Sequence, residues 1–318
     1  MSSIFLHQHP QFGELLAIVA EAKGILPVLV EKDYWIMHVL YGLKKQGFQF
    51  ELKGGTSLSK GFGIIQRFSE DIDIHIHPPV ELGVEINPKK TKAHHILSRK
   101  GFYDWLADNL KIEGIEKSAR DTAFDDEDAY RSGGIRLLYK SISETITGLK
   151  SGILLEAGFD TVTPNKEVAI SSWVLDFALE KEVSGIINNK ALAIACYHPG
   201  YTFVEKLQTI ATKLRKEQEG AAKQLNYMRQ YYDIYCLLNH PEVQNFLGTP
   251  EYEAHKLKRF PKVDLQIPLF ENEAFLLSDA GIRADFKKRY ESTKSLYYEG
   301  QPSFEEVINR IRMNLKKL

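Results

Sequence analysis

A chain of 318 residues, 43% hydrophobic and 26% charged, carries enough apolar side chains to bury a substantial core as one large or two modest domains, and such a composition excludes a disordered or fibrous protein. Lys and Arg number 41 against 42 Asp and Glu, a net charge of -1, so no global field gathers nucleic acid and any polyanion must be held by a local basic patch. The cysteines are Cys196 and Cys236, and with no Cys/His spacing that matches a zinc site they exclude a disulfide framework or a structural zinc.

Met1 to Pro10 lacks a basic start followed by an apolar core, and no apolar stretch is long enough to span a bilayer, so a cytoplasmic protein without membrane contact is expected. Apolar positions at helical spacing predict helices over Phe12 to Lys23 and Leu29 to Lys45, with Gly24 and Gly47 as stops. In Phe48 to Lys53 the apolar residues alternate as in a strand; Gly54-Gly55 then turn the chain, and Thr56 or Ser57 caps a short helix ending near Gly61 and Gly63. A second strand is expected over Asp71 to His77, closed by Pro78-Pro79. An amphipathic helix around Leu97 to Leu110 and an acidic loop through Asp125, Asp126 and Asp128 follow. Ile135 to Ser141 and Ile153 to Phe159 form the pattern of a long hairpin around a polar turn of Thr, Ser and Gly. Val168 to Glu180 leaves strand, helix or both open, and Leu192 to Tyr197 suits a short strand before His198-Pro199-Gly200. Beyond that break the pattern is helical, over Phe203 to Gln218, Ala222 to Leu238, and around Glu271 to Ser278, Ile282 to Tyr290 and Phe304 to Leu315. A domain boundary is therefore expected near Gly200.

The chemistry concentrates early. Asp71 and Asp73 alternate with Ile72, Ile74 and Ile76, so a period of two sets both carboxylates on one strand face. Carboxylates so close repel one another and attract a divalent ion. The plain alternative is an edge strand whose solvent face is Asp, Asp, His, His; His75 and His77 are then polar surface, otherwise supporting groups or minor metal ligands. At Gly54-Gly55 bare backbone amides and the helix dipole favour a triphosphate, with Thr56 and Ser57 as further donors or ordinary caps. Lys53 reaches either phosphate or solvent. Glu156 falls opposite Ile153, Leu155, Ala157 and Phe159; a carboxylate there is costly to bury unless paired, and an exposed sheet face serves equally. Lys206 brings a positive charge into an apolar helix. Arg229 and Asp233, four apart, can pair for about 0.3–0.5 kcal/mol, and Arg67 can clamp a phosphate or bridge to Glu70 or Asp71.

A Gly54-Gly55-Thr56-Ser57 turn after one strand and Asp71-x-Asp73 on the next resemble the nucleotidyltransferase superfamily with the polymerase-beta-like fold. Glu31-Lys32-Asp33-Tyr34-Trp35, Arg67 with Ser69, Thr202-Phe203-Val204-Glu205-Lys206-Leu207, and Arg229 with Tyr232-Asp233-Ile234-Tyr235 narrow this. Together they make the chain similar to the AbiEii/AbiGii toxin family of bacterial type IV toxin-antitoxin and phage-defence (abortive infection) systems. The resemblance covers about Glu31 to Leu238, and no motif after His240 adds to it.

The resemblance implies a mixed α+β fold with a mixed β-sheet flanked by helices. Residues 1–200 would be the nucleotidyltransferase domain with its leading helices, and 201–318 a helical domain completing the active-site cleft. It further implies a nucleotidyltransferase that uses magnesium or manganese to move a nucleoside monophosphate from an NTP to an RNA, in some relatives the 3′ end of tRNA, with a cognate antitoxin acting directly or indirectly. On this basis Asp71, Asp73 and Glu156 are metal ligands, and Lys206 and Asp233 join them as catalytic residues. Gly54, Gly55, Thr56, Ser57, Arg67, Lys206 and Arg229 bind the nucleotide, and Glu31, Lys32 and Asp33 brace the leading helix against the sheet. A tRNA would need phosphate contacts, for which Lys213, Arg215, Lys216 and Lys223, or Arg283, Lys287, Lys288 and Arg289, are the candidates. The competing readings are a nucleotide-binding regulator without transfer, and an enzyme of the same fold that modifies protein hydroxyls or a small molecule.

Overall fold

Gly24, at φ +63°, ends α1 (Phe12–Lys23) in a left-handed conformation that costs glycine little. Pro27 opens α2 (Pro27–Lys45), where a missing N–H breaks no helical bond. The computed structural model describes residues 3–144, 149–224 and 226–318. They form two compact units, one running to Phe62 and resuming over Ser69–Tyr197, the other made of Gly63–Phe68 and His198–Leu318.

In the first unit β1 (Gln49–Lys53) runs into a helical turn, α3 (Gly54–Thr56), continued by a π-helical turn over Ser57–Gly61. There follow β2 (Asp71–His77), α4 (Ala93–Asn109), β3 (Ile115–Arg120), β4 (Ser132–Tyr139), β5 (Ile153–Gly158), β6 (Asn165–Ile170), α5 (Trp173–Glu180) and β7 (Ala191–Tyr197). The strands make one mixed sheet in the order β3-β4-β5-β2-β1-β7-β6. β2 runs antiparallel to β1 and parallel to β5, and β1 runs parallel to β7. This is the mixed α+β architecture expected.

Val168 to Glu180 proves to be both a strand and a helix, Ser172 capping the helix by accepting from the Leu175 N–H. β4 and β5 pair antiparallel as the hairpin pattern predicts; residues 145–148 of the turn between them lie outside the described residues. β3 was not foreseen, and β6 only in its last residues.

β2 is the fourth strand of seven, so the edge-strand alternative for its acidic face does not hold. Ile72, Ile74 and Ile76 are fully buried, with Leu52, Ile153, Leu155 and Ala157 of the adjoining strands. At about 1.5–3 kcal/mol for each large side chain removed from water, this layer fixes which way β2 faces, because a one-residue slip would carry every isoleucine to the other side.

α2 buries three consecutive charges. Glu31 accepts from the Ser141 hydroxyl and the Ile142 and Ser143 N–H groups at 2.9, 3.0 and 3.1 Å. Lys32 reaches Glu70 at 3.4 Å. Asp33 accepts the Trp173 N–H at 2.7 Å and pairs with Lys60 at 2.6 Å, tying α2 to the turn that follows α3. The three residues do brace α2, as expected, but against the loops and turns beside the sheet and the start of α5 and not against a strand.

The second unit holds α6 (Pro199–Gln218), α7 (Arg229–Leu238) and shorter helices over Pro241–Phe246, Pro250–Arg259, Glu273–Leu276, Ala280–Glu291 and Phe304–Asn314. The helix expected from Ala222 starts instead as a 3-10 turn at Asn226, and residue 225 lies outside the described residues. Pro241–Phe246 and Pro250–Arg259 were not anticipated, although each opens with Pro and Thr249 caps the second through the Tyr252 N–H. Among the described residues no helix is long and apolar enough to cross a membrane.

Candidate active site

The alternation of β2 leaves Asp71 and Asp73 half-buried on the face opposite the isoleucines. The parallel register with β5 sets Asp73 directly beside Glu156, so three carboxylates from two neighbouring strands share a small area of sheet. Their mutual effect is visible in Glu156: burial, then the charges of Asp73 and Asp71, push its pKa up to about 8. An all-oxygen donor set whose charges repel suits a hard divalent cation such as Mg2+.

The glycine turn is built against the same carboxylates. Lys53 pairs with Asp73 in the β1–β2 register, and Gly54 comes next at φ +70°. A methyl group on Gly54 would overlap the Asp73 carboxylate, so the absence of a side chain lets turn and acid meet. Thr56 is buried and donates its hydroxyl to the Asp71 carbonyl at 2.5 Å, locking the turn to the start of β2. Ser57 is fully buried, as is Cys196, whose thiol is pushed up to about 12 by burial. The two hydroxyls are thus engaged or enclosed, and the turn's backbone amides carry whatever anion binding it has. Lys53, expected at a phosphate or in solvent, lies 3.7 Å from Asp160.

Gly54→Ala is expected to cost about 1–2 kcal/mol from the left-handed backbone alone, and to displace Asp73. The measurement is a denaturation curve beside an activity assay; unchanged values in both would show the close approach to be incidental.

Glu156 gives a pH signature. Its folded pKa of about 8 lies above the ordinary 4.5, so the folded chain holds a proton that the unfolded chain releases between those values. The stability tied to it is complete below pH 4.5 and drains away as pH rises through 8. Metal-free Glu156→Gln should therefore overtake wild type in Tm across that range, while Mg2+ should raise the wild-type Tm more. Parallel Tm profiles would contradict the shift.

In the second unit, Arg67 donates to Asp233 through both Nε (2.7 Å) and Nη2 (2.6 Å), and Lys206 reaches the same carboxylate at 2.6 Å and Gln230 at 2.7 Å. All three charged groups are buried. Burial alone would raise the Asp233 pKa, but the Arg67 and Lys206 charges outweigh it and hold it at about 2. Of the two readings open for Arg67, a phosphate clamp or a bridge to Glu70 or Asp71, the second is replaced: its carboxylate partner is Asp233, 166 positions along the chain. Both Asp233 oxygens are taken up by Arg67 and Lys206, while Arg229 sits half-buried at the first position of α7.

The basic clusters weighed for RNA are largely committed elsewhere. Arg215 pairs with Asp264 and Glu219, Arg289 with Glu217 and Asp285, Lys223 with Asp285, and Arg283 with Glu305. Lys216, Lys287 and Lys288 are exposed. Sequence reasoning passed over Glu51, which the β1–β2 register sets opposite His75; its alternation with Phe50 and Leu52 was the available signal.

The family model described as nucleotidyl transferase AbiEii toxin, type IV TA system, matches residues 38–310. No curated protein matches the sequence. Among solved structures, the chain is similar to the crystal structure of an antigenic nucleotidyltransferase-like protein from Paracoccidioides brasiliensis, at 12% identity and a TM-score of 0.36, over 88% of this chain and 97% of that one.

Proposed function

Since the chain belongs to the AbiEii nucleotidyl transferase toxin family of type IV toxin-antitoxin systems and is a nucleotidyltransferase, we propose that it is a magnesium-dependent toxin that moves a nucleoside monophosphate from an NTP to an RNA, with tRNA the first acceptor to test. The observation that carries this is the meeting of the Gly54 turn with Asp73, and of Asp73 with Glu156, on the central strands. Asp71, Asp73 and Glu156 would hold the metal through oxygen, Mn2+ serving as well as Mg2+. Bound there, a divalent ion neutralises phosphate charge and stabilises the attacking and departing oxygens.

The remaining tasks fall to the chain itself. The amides of the turn after Lys53 bind the polyphosphate, and the Thr56 bond to Asp71 keeps those donors at a fixed spacing from the carboxylates. An acceptor hydroxyl attacks the α-phosphorus, giving up its proton to solvent; the new O–P bond forms as the bond to the bridging oxygen breaks, and pyrophosphate leaves. Within the second unit, two cations against one anion leave Arg67, Lys206 and Asp233 with one positive charge, which suits a polyanionic substrate. Arg229 is assigned to nucleotide binding, and Lys206 and Arg67, buried and held in position by Asp233, to supporting it with positive charge. We place the protein in the cytoplasm, opposed by an antitoxin.

The test is incubation of antitoxin-free protein with Mg2+, each α-labelled NTP and total tRNA. Label in tRNA from one NTP, lost in Asp73→Asn, supports the proposal. Label confined to protein or a small molecule would replace the acceptor, and no label in any fraction from folded protein would overturn the transfer itself.

A further inference from the structure

We propose that Glu51, His75 and His77 form a second cation site, suited to a zinc-class divalent ion, beside the three carboxylates and separate from them. β2 presents His75 and His77 on the face that carries Asp71 and Asp73, and β1 brings Glu51 opposite His75. His77 Nε2 lies 3.0 and 3.1 Å from the two Glu51 oxygens, His75 Nε2 lies 3.9 Å from Glu51 Oε2, and the two rings stand 4.6 Å apart. One ligand atom from each residue falls within a common 4.8 Å span.

With metal–ligand bonds of about 2.0–2.2 Å, tetrahedral ligands stand about 3.3–3.6 Å apart, so the ion needs only small side-chain adjustments. The donor chemistry separates this site from its neighbour. Two imidazoles and one carboxylate favour Zn2+, Ni2+ or Cu2+, whereas an all-oxygen set favours Mg2+ or Mn2+. The cluster closes on Glu51, His75 and His77 alone, one ligand atom of each lying within 4.8 Å of the others, so the ion needs nothing from Asp71 or Asp73. Glu51 and His75 are mostly enclosed and His77 is half exposed, so the site opens to solvent on the His77 side. Three protein ligands leave a coordination position for water or an added ligand, as in metal sites that exchange or react.

The inference does not depend on the proposed transfer, and its readout is metal binding. The full chain, stripped of metal, is titrated with Co2+ while the visible bands of tetrahedral cobalt are followed, with Zn2+ as competitor. An Asp71→Asn/Asp73→Asn variant should still bind one equivalent with nitrogen-type bands that Zn2+ abolishes and excess Mg2+ does not. His77→Ala, at a half-exposed position, should weaken binding at least about tenfold, and Glu51→Gln should do likewise. Unchanged affinity in His77→Ala, displacement of Co2+ by Mg2+, or loss of binding in the aspartate variant would overturn the proposal.

Discussion

Asp73→Asn is expected to lower nucleotidyl transfer roughly 10³-fold while leaving the fold intact. A bound metal supplies several kcal/mol of charge stabilisation in phosphoryl chemistry, and each 1.36 kcal/mol is tenfold in rate. Asn keeps the shape that meets Gly54 but discards the charge that Glu156 feels most among its neighbours. Two further results follow from the same repulsion. The Glu156 pKa should fall back toward the usual carboxylate range, and the metal-free Tm should stay level or rise. A variant that unfolds would assign Asp73 a structural role, and one that transfers at the wild-type rate would remove it from the chemistry.

Asp233→Ala is expected to destabilise the second unit by about 3–5 kcal/mol, the cost of leaving buried cations without their partner. Arg67 and Lys206 are 4% and 6% exposed and Asp233 is not exposed at all, so water cannot replace the lost carboxylate. Against a typical total of about 5–15 kcal/mol, the loss should show plainly in urea denaturation. Lys206→Met should cost less, because the two-pronged Arg67–Asp233 contact survives it. Acid gives an independent check. With its pKa held at about 2, Asp233 contributes stability that is complete above the ordinary value of about 3.9 and is lost as pH falls through 2. A loss below about 1 kcal/mol in Asp233→Ala would mean that the surroundings relax enough to admit water.

The face of β2 was legible because period-two alternation is local: Ile72, Ile74 and Ile76 announce their own burial. The glycine turn was legible for the same reason. Whether β2 lay at the edge or the centre of the sheet was not, since that depends on β5, more than 70 positions later in the chain. β3 escaped notice, and β6 was caught only in its last residues, because they are the two edge strands: Ile115–Arg120 is mostly polar, Asn165–Ile170 half polar, and both are largely unburied. A strand with one neighbour has little need of the apolar alternation by which strands are recognised. The partners of Arg67 and Glu51 were hidden for a different reason. Nearby sequence offered Arg67 plausible acids at Glu70 and Asp71, whereas the pairing realised spans 166 positions; Glu51 meets the two histidines only through a register set by the folded sheet.

The most direct test of the carboxylate cluster is its affinity for Mn2+, followed by electron paramagnetic resonance in the presence of NTP, with His77→Ala as background to silence the neighbouring histidines. The expected result is tight binding by that protein, and its loss in both Asp73→Asn and Glu156→Gln with the metal-free Tm level or raised. Equal Mn2+ affinity in all three would contradict the assignment of Asp71, Asp73 and Glu156 as the metal-holding face of the enzyme.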